Sequence, residues 1–442
     1  MRERPARPAA RAELPLTTSR ISLGRAHLLA ASLIREATRA GIPASSLNRV
    51  GSVRRFAPDV GDAALLAGIS TAHHPDVLAR FMTLPMVAGV ISRSASTAVV
   101  TTTKGRAALH VVAPDHVGSG LVWHTGSRAH TEQLQRRAGT LGLSFHDGQL
   151  RRAGVPVAAP TEEEFYRHLQ LPFIPPELRE GTDEIAVAER GILPDLVSAA
   201  DIRGDLHMHT TWSDGRDTLE MMVYAAKSIG YEYVAITDHS ERAWSSRKLS
   251  AIDVPRQREE VEAVRRHLQG IDVLHGVEVD IMKDGALDFP DALLEGFDIV
   301  LASLHDHGGQ SGEELTGRYL RAIEHPLVNV ITHPANRSPA VSEGYDVDFD
   351  RLFSAAAESG TALEIDGAPG HLDMDGTLAR RAIAAGATLT IDSDCHRAEA
   401  LARQMRFGIG TARRGWVERR HVLNTRSAQD VRAFVAAKRA RR

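Results

Sequence analysis

The sequence is almost without cysteine: Cys395 is the single one in 442 residues. An internal disulfide is excluded, and the usage suits a reducing compartment, so a cytoplasmic location is expected. No apolar run is long enough to span a bilayer. The N-terminal MRERPARPAARAELP carries charge but no apolar core, so neither a membrane anchor nor a secretory leader is expected. There is little excess charge of one sign. The formal net charge of −3 provides no global field for nucleic acid, so any such binding has to be local. With 43% hydrophobic and 25% charged residues, the composition is that of a globular protein with room for about two or three cores. The abundant residue is histidine, with 21 copies.

Residues 1–19, rich in Pro, Arg and Ala, suggest a mobile tail. Apolar spacing predicts a helix over 23–40, ended by Gly41-Ile42-Pro43. Short β-type runs follow at 86–91, 97–101 and 107–112, then a helix at 128–140. LPFIPPELREG (171–181) suggests an extended connector, followed by a small helix at 183–190. From residue 204 the pattern becomes strand, helix, strand, with strands expected at 204–208, 232–237, 272–277, 298–303, 327–331, 361–366 and 388–392. Alternating elements with apolar strands argue an α/β class and a parallel sheet, and seven units suggest a closed, distorted barrel. Its site is then expected beyond the C-terminal ends of the strands.

The histidines fall there. GDLHMHTTWSDG (204–215) places His207 and His209 at i and i+2, facing one way, with Asp214 in the following loop. Later strands end in His239, Glu278, His305 and His333, and the last runs into Asp394 and His396. Six imidazoles and three carboxylates in phase with the strand repeat exceed what one ion needs. Mixed nitrogen and oxygen ligation suits Zn²⁺, Mn²⁺ or Fe²⁺, and two or three clustered ions suit phosphoester hydrolysis. Lys248 and Arg337 are candidate contacts for a substrate phosphate. Asp238 and Asp288 are expected to support the ligands, His307 and His371 to lie on the rim or surface, and Cys395 to be a small buried residue.

These motifs resemble the PHP (polymerase and histidinol phosphatase) domain. VEVDIMKDGALDFPD (277–291), ITHPANR (331–337) and FGIGTARRGWVERRHVLNT (407–425) add to the likeness. The resemblance implies a seven-stranded (βα) barrel with a trinuclear centre, commonly of zinc or manganese. It would place His207, His209, Glu278 and Asp394 on a first ion. Glu278 would bridge to a second, held with His305 and His333, and Asp214, His239 and His396 would hold a third. At His371, within HLD, such domains more usually carry Arg.

The first 200 residues are similar to the palm and thumb of bacterial family X DNA polymerases, which end in a PHP domain. The likeness rests on GSVRR…VGD, HTGSRAHTEQLQRRAGTLGLSF (124–145) and LPFIPPELREG. It divides the chain into a palm and thumb at 20–170, a linker at 171–200 and the PHP barrel at 201–442. Polymerisation needs three carboxylates around two ions. Asp62 is present, but the second position is Ala64, and the aligned Asp-Leu-Arg strand here contains Ala108, Leu109 and His110. Two methyl groups cannot bind Mg²⁺, so a degenerate polymerase site is expected, in which Gly51, Ser52 and Arg54 form either a preserved structural turn or a retained phosphate contact.

The reading that follows is a metal-dependent phosphoesterase using metal-activated hydroxide on DNA 3′ ends or nucleotide phosphates, as a 3′–5′ exonuclease or 3′-phosphatase. Three alternatives compete: a histidinol-phosphatase-like phosphomonoesterase, a DNA-repair scaffold without catalysis, and residual polymerase activity. The basic C-terminus AAKRARR (436–442) is read as a helix end facing solvent, with nucleic-acid contact as the sharper option.

Overall fold

A computed structural model describes residues 20–243 and 245–441. The proposed tail, residues 1–19, lies outside the described residues. The first helix, Leu23–Arg39, buries Leu29, Leu33 and Ala37 against a five-stranded sheet. The strand order is Leu47–Val50, Ala63–Gly68, Gly105–Val112, Thr97–Thr102 and Val87–Arg93. The second and third of these run parallel, with Ala64 directly opposite Ala108. The other pairings are antiparallel.

The next unit contains helices Val117–Thr125, Arg128–Thr140 and Glu162–His168 and a hairpin of Leu143–His146 with Gln149–Arg152. Ser127 caps the second helix by accepting from His130 N, and Thr161 and Glu164 form a capping box on the third. Its core includes Phe145, Phe165 and Tyr166, and also Leu171, Ile174, Leu178, Ile185 and Leu196. The segment expected as a linker is therefore packed into this core. Its prolines set an extended path, while the apolar residues between them supply the burial that holds the path in place.

From residue 204 seven parallel strands follow one another in spatial order. They are Gly204–Asp205, Tyr233–Ile236, Asp272–Asp280, Ile299–Ser303, Val330–Ile331, Ala362–Asp366 and Leu389–Asp392. A parallel bridge from Met208 to Cys395 brings the last strand back beside the first, leaving a nearly closed barrel. Period-2 alternation sorts the side chains. Val234, Ile236, Val300, Ala302 and Ile331 face the surrounding helices. Tyr233, Ala235, Leu274, Ile299, Leu301 and Val330 face inward, where Val431 and Val435 of the C-terminal helix Ala428–Arg439 close the end at which the strands begin. Lys438 is buried and donates to Ile323 O, in the last turn of helix Gly312–Glu324, at 2.7 Å, so the basic C-terminus is partly packed against that helix end. Of the described cations there, this one does not face solvent.

The N-terminal units dock onto the barrel helix Leu401–Arg414. A Cβ at Gly410 would lie 2.0 Å from the Phe56 ring, so only glycine admits this approach. Glu180 accepts from Arg55 Nε at 2.6 Å and also pairs with Arg414, and Asp183 forms a bidentate pair with Arg380 at 2.7 and 2.8 Å.

Candidate metal centre

All nine ligand candidates from the sequence converge at the mouth of the barrel. Strand alternation aims Glu278 inward, because it pairs with inward-facing Leu301 in the next strand. The chain then turns sharply at His333 and Asp394, whose φ angles of 28° and 47° lie in the left-handed region. Such strain at non-glycine positions is held only where surrounding contacts enforce it.

His209 Nε2 lies 3.0 Å from Asp394 Oδ1 and 3.1 Å from His207 Nε2. Glu278 Oε2 is 3.6 Å from His207 Nε2 and 2.5 Å from His239 Nδ1. Its Oε1 is 3.0 Å from His333 Nε2 and 3.6 Å from His305 Nε2. Asp214 Oδ1 lies 3.2 Å from His396 Nε2 and 3.5 Å from His239 Nε2. Three ligand groups follow: His207, His209 and Asp394; His239, Glu278 and His305; and His209, Asp214, His239 and His396. The grouping differs from the one the resemblance implied: His209 and His239 each reach two groups, Glu278 joins His239 and His305 but not His207 and His209, and His333 meets the centre through Glu278.

Groups of this composition fit divalent ions. Oε2 of Glu278, Nδ1 of His239 and Oδ1 of Asp214 face other atoms of these groups and are buried without a well-aligned hydrogen bond. Buried polar atoms rarely go unpaired, and cations among them would satisfy these lone pairs. The electrostatics are those of carboxylates in need of positive charge: against burial, they raise His207, His239, His333 and His396, the last two to about 9, so that without an ion protons balance them. Burial would raise the Glu278 carboxyl, but His239, His305 and His207 outweigh it and hold it well below the usual range. Burial, with His239 and His396, pushes the His209 imidazole down to about 3, favouring the neutral form that binds metal.

Supporting residues orient the ligands. Glu364 Oε1 sits 2.6 Å from His207 Nδ1, and Asp280 Oδ1 sits 2.8 Å from His305 Nδ1. Such carboxylates fix the tautomer and ring orientation of a ligand histidine. Asp238 accepts from Thr210 N, Ser213 Oγ and Gln257 Nε2 at 2.6–2.7 Å, which anchors the loop bearing Asp214. Asp288 accepts from Arg242 N at 2.7 Å. Sequence reasoning missed Glu364, Asp280 and Asp366. Strand alternation over ALEID would have placed Glu364 and Asp366 on the inward face beside Ala362.

Of the two places expected for His371, it takes the rim: half-buried, its ring stacks on His333 with centroids 5.2 Å apart, and it groups with Asp366 and Asp394. Its left-handed neighbour Leu372 (φ 47°) turns the loop back into the mouth. His307 is exposed. Cys395 is fully buried, and burial pushes its thiol up to about 12. Lys248 is exposed. Arg337 is 6% exposed and pairs with Asp375 at 3.1 Å, so it already has an anion.

In the palm, Ala64 and Ala108 are buried beside Val50 and Leu66. Gly51 has a φ of 73°, which suits only glycine comfortably, and starts the four-residue helix Gly51–Arg54 containing Ser52. Arg54 forms a bidentate pair with Glu162 at 2.8 and 2.5 Å, and fully buried Arg179 shares that carboxylate at 2.5 Å. The side chain expected to touch phosphate is therefore tied to the thumb. Burial raises Asp62, against the attraction of Arg106. His110 stacks on His124 at 3.7 Å.

The seven-stranded barrel with its inward ring of histidines and carboxylates defines a PHP-type, metal-dependent phosphoesterase. Comparison with known proteins agrees. Residues 205–365 match the PHP domain family, and residues 120–180 match the DNA polymerase beta thumb. The DNA polymerase/3′-5′ exonuclease PolX of Bacillus subtilis is 35% identical over 393 residues, which covers 88% of this chain and 68% of that protein. Proteins named probable phosphatase from Syntrophotalea carbinolica and Shewanella oneidensis are 30% and 31% identical over 45% of this chain, covering 82% and 77% of their own lengths. The chain belongs to the PolX family, the bacterial family X polymerases with a C-terminal PHP domain. No described helix is long and apolar enough to cross a membrane.

Proposed function

We propose that this protein hydrolyses phosphoesters at DNA 3′ ends, as a 3′–5′ exonuclease or 3′-phosphatase, and that its palm does not polymerise. The observation that carries the reading is the nine-residue convergence at the barrel mouth. His207, His209, Glu278 and Asp394 would hold one ion, with His305, His333 and His239 completing a second around Glu278, and Asp214, His239 and His396 a third. Zinc or manganese suits this ligand set, and iron is compatible with it. Divalent ions supply Lewis-acid activation of water and neutralise the charge that develops on the phosphoryl group. The protein's own part is to hold the ligands in place. Glu364 and Asp280 orient His207 and His305, and Asp238 anchors the Asp214 loop. Against polymerisation stand two methyl groups, Ala64 and Ala108, where two carboxylates would be required.

The name of the Bacillus subtilis relative supports DNA as the substrate, and a cytoplasmic location is consistent with that work. The phosphatase names of the barrel-only relatives support a second reading, a small-molecule phosphomonoesterase. A panel with Mn²⁺ and Zn²⁺ separates the two: 3′-labelled single-stranded DNA, a recessed duplex, 3′-phosphorylated DNA and p-nitrophenyl phosphate. Release of 3′ nucleotides or phosphate from DNA, abolished in Asp394→Asn, is expected. Turnover confined to p-nitrophenyl phosphate would select the second reading. Primer extension lost in Asp62→Ala would overturn the assignment of the palm.

A further inference from the structure

The first helix of the palm meets the barrel beside the metal centre. A Cβ at Gly24 would lie 2.5 Å from Pro369 Cβ, so the start of the helix rests directly on the loop that carries His371. Between them lies a groove of about 390 Å³. One wall is the helix start, with Arg25 and Leu28, and the other holds Val341, Pro369 and Arg403. Val341 follows Arg337 in the His333 loop, and Pro369 is two residues from His371, so two of the loops that border the groove also carry residues of the centre.

The charge of the groove is one-sided. Arg20, Arg25 and Arg403 line it, and no Asp or Glu does. Arg20 pairs with Asp59. Arg25 and Arg403 are exposed and have no carboxylate partner among the described residues. Two apolar side chains lie among them: Leu28 is 55% exposed and Val341 is 85% exposed. Guanidinium groups without anions, set beside exposed apolar side chains, match a chain of phosphates carrying unstacked bases.

We propose that this groove holds a single-stranded polynucleotide on the 5′ side of the end being hydrolysed, with Arg25 and Arg403 on its phosphates and Leu28 and Val341 against its bases. The palm helix would thus serve the barrel as a substrate rail. The proposal rests on the reading that the substrate is a DNA 3′ end. It also explains how a chain of net charge −3 can bind nucleic acid, by a local patch.

The test uses the full-length, Mn²⁺-loaded protein and a 5′-fluorescein oligothymidylate protected by 3′-terminal phosphorothioates. Anisotropy is measured across a salt series for the wild type, Arg25→Glu/Arg403→Glu and the milder Arg25→Gln/Arg403→Gln. The charge reversal should weaken binding by about tenfold or more, and the neutral pair should lower the salt slope by roughly 1.4, at about 0.7 per phosphate contact. Circular dichroism of both variants should match the wild type. Binding within twofold of wild type with an unchanged slope would overturn the proposal. So would a wild type that fails to bind, or one in which blunt duplex binds equally with the same arginine dependence. Arginine-dependent binding without 3′ hydrolysis of unprotected oligonucleotide would leave the groove standing and remove the exonuclease reading.

Discussion

The barrel mouth and the palm cleft present the same problem and resolve it in opposite ways. Each is a place where strands aim side chains at a common point. In the barrel those side chains are His207, His209, Glu278, Glu364, Asp366 and Asp394, all buried or nearly so. In the palm, the facing pair is Ala64 and Ala108. Burying ionised groups costs several kcal/mol each unless a counter-charge is close, so the barrel's arrangement makes sense only around cations. The palm has no such cost. Its methyls pack against Val50 and Leu66, and its nearby imidazoles are neutral, with burial pushing His110 down to about 4 and His124 down to about 3. One site concentrates charge that calls for cations; the facing pair in the other carries none, which is the contrast behind the proposal that the palm does not polymerise.

The sharpest way to test that contrast is to remove the bridging charge of the barrel. Glu278→Gln should cut phosphoesterase turnover by about 1,000-fold, equivalent to about 4 kcal/mol of transition-state stabilisation, with metal content by mass spectrometry falling alongside. Glu364→Gln should cost metal affinity by about 10–100-fold, as expected when a ligand histidine loses the group that orients it. An unaltered metal titration there would show that His207 is positioned by something else.

The charge cluster that ties palm Arg54 to the thumb is predicted to be structural. Glu162→Ala strands Arg179, which is fully buried, and should lower stability to urea by about 3–5 kcal/mol. A loss under about 1 kcal/mol would mean that solvent reaches the pair.

The comparison breaks most directly if the palm's charges are put back. Ala64→Asp/Ala108→Asp places two carboxylates side by side in an apolar wall, so stability should fall by about 3 kcal/mol at neutral pH. Mg²⁺ should then raise the melting temperature of the variant but not of the wild type. A variant as stable as wild type and able to extend a primer would reduce the difference between the sites to two methyl groups.

The smallest effect is one of pH. His110 and His124 have folded pKa values of about 4 and about 3, below the unfolded value of 6.5. Between those limits the unfolded chain binds more protons, so stability rises with pH through this window and levels off above 6.5. A melting temperature that falls as pH drops from 6.5 towards 4, and falls less in His110→Gln/His124→Gln, is the expected outcome. Equal falls in both proteins would assign the acid sensitivity to the barrel.

How much of this was legible beforehand varies by element. The barrel strands were visible because each is a short apolar run between helical stretches, and the helix at 128–140 matches Arg128–Thr140. Ala63–Gly68 is hard to read as a strand, because ALLAG carries no polar alternation to mark a strand buried on both faces, and Leu47–Val50 is only four residues long. The linker was misjudged because proline signals an extended path and says nothing of what the path packs against. Nothing local marks Arg54 and Arg337 as paired, since the carboxylates that occupy them, Glu162 and Asp375, lie 108 residues and a separate loop away.

What the sequence by itself determined is the chemistry. Residue types at strand ends, recurring in phase with the βα repeat, define a ligand set whatever the angles between strands. Ala64 and Ala108 likewise set the basis for the proposal that the palm lacks two carboxylates. What only the tertiary structure decided is company: which ligands share a point, which arginines are already paired, and that Arg25 and Arg403, 378 positions apart by number (403 − 25), border one groove. Covalent spacing governs which groups a strand can present, but pairing and exposure depend on packing between segments distant in the chain, and local pattern carries no record of that.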